Sequence, residues 1–135
     1  MQAPEVFVIA PFNRELDPVL NAVRRAAEDI GYEVVRPGDM APGALLTSFV
    51  LERIRRADVI VADLTRQSSS VMYELGFAHA LRKPTILLLN SKSEDSELPV
   101  DLAGFQYFFY DPADLGRFED RMKSEIKRTA LRRSA

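Results

Sequence analysis

The sequence predicts an α/β fold: a doubly wound, five-stranded parallel sheet in the order 2-1-3-4-5, with helices on both faces. Three observations point there. Short apolar runs alternate with stretches of helical spacing along the chain. The runs are continuously apolar, as strands buried on both faces require. At 135 residues, the chain has room for one core, so residues 1–135 are read as a single domain.

The elements follow in order. Glu5–Ala10 is short, β-branched and stopped by Pro11, which predicts a buried first strand. Arg14–Ile30 places Leu16, Val19, Leu20, Val23, Ala26, Ala27 and Ile30 at helical intervals, and Gly31 closes the helix. Glu33–Arg36 is a second strand, ended by Pro37-Gly38, and a loop runs to Gly43. Leu45–Arg56 is a second helix, with Leu46, Phe49, Val50, Arg53 and Ile54 in phase. Asp58–Ala62 is a third strand that ends at Asp63, and Thr65–Ser70 is a polar loop. Val71–Leu81 is a third helix and Pro84–Leu89 a fourth strand. Ser91–Gly104 reads as an exposed loop, Phe105–Tyr110 as a fifth strand and Pro112–Arg133 as a terminal amphipathic helix. Strand–helix alternation makes the helices crossovers between parallel strands, which is the flavodoxin-like plan.

Composition removes several chemistries. With no Cys, there is no disulfide framework, no thiolate–metal site and no thiol nucleophile. A single His, His79, excludes a multi-histidine metal centre. A net charge of −2 gives no global attraction for nucleic acid. Arg117–Arg133 is locally basic, but it reads as a solvated helix with an apolar stripe of Phe118, Met122, Ile126 and Leu131. Neither GxGxxG nor GxxxxGK[ST] occurs. The apolar runs are too short to span a bilayer and the N-terminus lacks a basic leader, so a cytoplasmic protein is expected.

In sheets of this type ligands sit beyond the carboxyl ends of the strands, at the switch point. That rule selects Pro11-Phe12-Asn13, Asp63-Leu64-Thr65 and the start of the third helix. The helix reads VMYELGFAHAL, apolar all round apart from Glu74 and His79. A carboxylate in its first turn would be partly buried, and the helix N-terminus would favour its ionised form. An ionised, partly buried carboxylate in a cleft suits nucleophilic attack at a sugar carbon. Glu74 as a simple helix cap is the rival reading, but a capping box would need Ser or Thr at 71, where the chain has Val. Asp63 could equally close an Asx turn at its strand end. His79, five residues after Glu74, falls on another side of the helix and reads as a packing or interface residue. Ser68, Ser69 and Ser70 could cap the helix, and no neighbouring base activates a serine.

These residues carry a resemblance. VFVIAPF at 6–12, ADVIVADLT at 57–65, VMYELGFAHALRKPTILL at 71–88 and LPVDLAGFQYFFYD at 98–111 resemble the nucleoside 2-deoxyribosyltransferase-like superfamily, whose bacterial TIR-like relatives share the fold. YELGFAHALRKP is the most specific part. The resemblance implies N-glycosidic bond chemistry, with Glu74 as the glutamate that attacks C1′ of the sugar. It places Asp63 and Asn13 at the sugar and Phe12 and Tyr73 as stacking walls, with Pro11, Ser68 and Ser70 also lining the site. No cofactor or metal is implied. Relatives commonly carry Asn or Asp just before the helix, where the acidic residue handles the leaving base; this chain has Ser68-Ser69-Ser70, which can hydrogen-bond but cannot act as that acid. The expected function is therefore cleavage or transfer at a nucleoside or nucleotide N-glycosidic bond. The alternatives are a non-catalytic TIR-like nucleotide-binding or interaction module, or an NAD glycohydrolase. Met72, Tyr73, Phe77 and Leu81 surround a helix that one sheet cannot wholly cover, so a homo-oligomer through 71–81 is expected.

Overall fold

The computed structural model describes residues 2–36, 46–66, 68–94, 102 and 104–134, with no side-chain description at 46–47 and 132–134. The expected Pro37–Gly43 loop, Leu45 and most of the Ser91–Gly104 loop lie outside the described residues.

Five parallel strands form one sheet in the order β2-β1-β3-β4-β5. They are β1 (Glu5–Ile9), β2 (Glu33–Val35), β3 (Val59–Asp63), β4 (Thr85–Asn90) and β5 (Gln106–Tyr110). The helices are α1 (Asp17–Asp29), α2 (Leu46–Arg56), α3 (Ser69–Ala80) and α4 (Leu115–Ser134), and a 3₁₀ turn at Arg14–Leu16 precedes α1. The architecture predicted from the sequence is the one observed.

Period-two alternation splits each central strand between two cores. Val6, Val8, Val59, Val61, Ile86 and Leu88 face α1 and α4. Phe7, Ile9, Ile60, Ala62, Leu87 and Leu89 face α2 and α3. Both sides are dry, which is why these strands carry no polar alternation. β5 departs from the expected pattern: Phe108 and Tyr110 are buried, while Tyr107 and Phe109 are 43% and 49% exposed. It is an edge strand, and on that side it is only partly covered.

α1 ends as the sequence predicts. Gly31 has φ +88, its N–H donates to Glu28 and the N–H of Tyr32 donates to Ala27, closing a left-handed C-terminal cap. α3 ends in the same bonding pattern, from Arg82 to His79 and Lys83 to Ala78, but the left-handed residue is Arg82, at φ 55. α4 packs on α1, with Phe118, Met122 and Ile126 buried. Leu131, expected in that stripe, is 70% exposed. Five residues beyond Ile126 is about 500° of helical rotation, which turns it away from the buried face. Two ion pairs of opposite sense join α4 to α1, Arg25 of α1 with Glu119 at 3.1 Å and Lys123 of α4 with Asp29 at 2.9 Å. Among the described residues, no helix is long and apolar enough to cross a membrane.

Candidate active site

Ile9 pairs with Ala62, so the segments that leave β1 and β3 emerge side by side at the carboxyl edge of the sheet. From β1 the chain enters Pro11, Phe12 and Asn13. Phe12 is 71% exposed, an aromatic ring at the mouth of the edge. The Asn13 Oδ1 accepts the Glu15 N–H at 3.0 Å and caps the 3₁₀ turn, which fixes how the loop enters α1. The loop after β3 is tied to this one through Arg66, whose Nη2 lies 3.2 Å from the Glu15 carboxylate.

Asp63 ends β3 and is wholly buried. Its Oδ1 accepts the Thr65 N–H at 2.9 Å, and its Oδ2 accepts the Tyr110 hydroxyl at 2.7 Å. The first bond is the Asx turn left open by the sequence. The second joins β5 to the end of β3. Burial pushes the Asp63 carboxyl up, against the lowering effect of these hydrogen bonds. Burial, with the Asp63 charge close by, also pushes the Tyr110 phenol up. Thr65 continues the lattice: its hydroxyl accepts the Asn90 N–H at 2.8 Å. Asp63, expected at the sugar, therefore lies beneath the surface rather than in it.

α3 begins at Ser69, not at Val71. The Ser68 hydroxyl accepts the Val71 N–H at 3.1 Å and caps the helix. This moves Glu74 into the second turn, beyond the stretch where the helix N-terminus strongly favours a negative charge. The expectation of an ionised form held by that terminus is corrected: with desolvation dominant, the Glu74 carboxyl is pushed up to about 7. Glu74 is half-buried and has no hydrogen-bond or ion-pair partner among the described residues. Ser70, four residues earlier on the same helical face, is exposed. Tyr73 is 62% exposed.

α3 is not covered all round. Val71, Leu75 and Ala78 are buried, and Met72 and Phe77 pack partly against the same core. His79 stands apart from Glu74, its ring edge-on to Phe105 with centroids 4.7 Å apart. Among the described residues there is no cluster of three or more metal-ligating side chains.

The structure thus brings the Pro11–Asn13 loop and the Asp63–Arg66 loop together, and it hangs α3, with Ser68, Ser70, Tyr73 and Glu74, directly from the second of them. Sequence reasoning selected Thr65 within the segment after β3 but missed Tyr110 and Asn90. Tyr110 was legible as the last residue of a strand, but its partner lies 47 residues away and two strands over.

Known proteins extend the picture. The model of the nucleoside 2-deoxyribosyltransferase family matches residues 9–103. Similar solved structures include a CMP N-glycosidase from Clostridium botulinum, with TM-score 0.66 and 22% identity, covering 87% of this chain and 97% of that one. A 2-deoxyribosyltransferase from Bacillus psychrosaccharolyticus gives TM-score 0.62 and 22% identity, covering 86% and 90%. One from Leishmania mexicana gives TM-score 0.62 and 20% identity, covering 87% and 97%. At these identities the likeness is one of fold. A response regulator receiver domain from Bacillus halodurans, at TM-score 0.53 and 12% identity, shares the same plan. Comparison with curated proteins returns no match. The family match takes in the loop after β1, Asp63, the Ser68 cap and Glu74 in one stretch, and on it the chain belongs to the nucleoside 2-deoxyribosyltransferase family.

Proposed function

We propose that this protein breaks the N-glycosidic bond of a nucleoside or nucleotide, by hydrolysis or by transfer to a second base, with Glu74 as nucleophile. The observation that carries this reading is a half-buried carboxylate, without a partner among the described residues, on the helix that leaves the carboxyl edge of the sheet. A carboxylate stripped of hydrogen bonds is poorly stabilised as an anion, and that is what makes it reactive toward C1′. Attack forms a glycosyl ester, and the electron pair of the C1′–N bond leaves with the base, which takes its proton from solvent. Water or a second base then attacks C1′, gives up its proton to solvent and releases Glu74 as the carboxylate.

Phe12 and Tyr73, both largely exposed, offer faces on which a base can stack. Ser70 shares the helical face of Glu74 and offers a hydroxyl to the sugar. Asn13 and Pro11 shape the loop from below. Asp63 supports the site through its bonds rather than by contact. The relatives' names support this chemistry, since one is a CMP N-glycosidase and two are deoxyribosyltransferases.

Incubation with CMP, with a deoxynucleoside plus a free base, and with NAD tests the reading. Release or exchange of base by the wild type, lost in Glu74→Gln, supports it. Tight binding in all three without turnover would instead favour a nucleotide-binding module, the reading that the serines before α3 keep open.

A further inference from the structure

The Asp63–Tyr110 bond does more than close a gap in the core. Asp63 has no exposed surface, and its two oxygens face different elements: one takes the Thr65 amide, the other the Tyr110 hydroxyl. Thr65 in turn takes the Asn90 amide on its hydroxyl, and the Leu64 amide donates to Leu88 at 2.9 Å. Leu64 and Thr65, the first residues after β3, are thus held from β4, and Asp63 is held from β5. Three residues after Thr65, Ser68 starts the helix that carries Glu74. A buried carboxylate with one donor removed cannot turn to water for a replacement, so it is held less firmly.

We infer that Tyr110 is a positioning residue of the candidate active site: its hydroxyl orients Asp63, Asp63 fixes the Thr65 amide, and this turn sets where α3 and Glu74 stand. The inference rests on the reading of Glu74 as the reacting group. It also assigns Asp63 a role that differs from direct sugar contact, and the two roles part under substitution. Asparagine at 63 keeps an oxygen for the Thr65 amide and gains an N–H that the Tyr110 oxygen can accept, while it loses the charge. A positioning residue tolerates that change. A carboxylate that works on the substrate does not.

The test uses the full chain and two variants, Tyr110→Phe and Asp63→Asn, read first without substrate. In Tyr110→Phe the Thr65 amide should exchange with solvent about tenfold faster at a temperature well below melting, after correction for global stability. The Glu74 carboxyl titration, followed by ¹³C NMR, should move away from its wild-type midpoint. In Asp63→Asn both should stay near wild type. If either the Thr65 exchange or the Glu74 midpoint is unchanged in Tyr110→Phe, the inference is wrong. Base release from CMP and from deoxynucleosides is then measured as a separate readout. Tyr110→Phe should lower kcat about tenfold or more with KM little changed, and Asp63→Asn should keep most of kcat. An Asp63→Asn loss as large as that of Glu74→Gln would overturn positioning in favour of direct participation. A wild type that turns over none of these substrates refutes the Glu74 reading, while the exchange and titration results still decide whether Tyr110 sets the turn.

Discussion

Arg66 and Glu15 meet at 3.2 Å across the mouth of the carboxyl edge, one from the loop after β3 and the other from the 3₁₀ turn after β1. Both side chains are more than half exposed, so their attraction is screened. The pair is a link between two site loops rather than a source of stability. Glu15→Gln is expected to change unfolding free energy by less than about 0.5 kcal/mol in urea titration. Substrate KM should rise and become less sensitive to salt, because the loops are no longer tethered.

As the proposed nucleophile, Glu74 is expected to set the pH profile of base release. Its carboxyl is pushed up to about 7 by burial, and in the proposed reaction only the ionised form attacks C1′. The rate of base release at limiting substrate, kcat/KM, is expected to rise with pH through about 7 and then level off. Glu74→Gln has no such group, and its rate should fall by about a thousandfold or more at every pH. A flat profile between pH 5 and 9 in the wild type would exclude this carboxyl as the titrating nucleophile.

The same burial has a cost in stability with a definite sign. Below about pH 4.5, Glu74 is protonated in both the folded and the unfolded chain and contributes nothing. Between 4.5 and about 7 the folded state holds a proton that the unfolded state has released, so stability falls as pH rises; above 7 the loss is complete. Glu74→Gln should therefore match the wild type at pH 4 and exceed it by about 1–3 kcal/mol at pH 8. Chemical denaturation at the two pH values measures this. Asp63, also pushed up, is present in both proteins and cancels in the comparison.

Arg82 stands in the left-handed region at φ 55, in the position that glycine fills after α1. A side chain there costs about 1 kcal/mol relative to glycine, offset in part by glycine's greater freedom when unfolded. Arg82→Gly is expected to be neutral or stabilising by up to about 1 kcal/mol in thermal unfolding, and Arg82→Val to be clearly destabilising.

Assembly is the remaining expectation. α4 lies with α1 on the opposite face of the sheet, so it does not cover α3. Tyr73 and Leu81 remain 62% and 40% exposed there. A homodimer that buries this side of α3 is expected in light scattering at micromolar concentration, and Leu81→Asp should shift it toward monomer. A wild-type monomer would remove α3 as an interface.

The order of elements was legible in the sequence because it is local: continuous apolar runs such as Val59–Val61 and helical spacing such as Val19, Val23 and Ala26 each report their own surroundings. Gly31 announced its left-handed cap, and the position of Asp63 at a strand end announced the edge where a site would lie. Tertiary structure alone decided the rest. It chose Ser68 as the cap and so moved Glu74 out of the first turn. It set the Glu74 carboxyl by desolvation, which depends on what surrounds a residue and not on its neighbours in the chain. It joined Asp63 to Tyr110 across 47 residues, a pairing that exists only once β4 has docked between β3 and β5. Periodicity records which side of an element is apolar, whereas the partner of a buried polar group is fixed by strand order, and no local pattern encodes that partner.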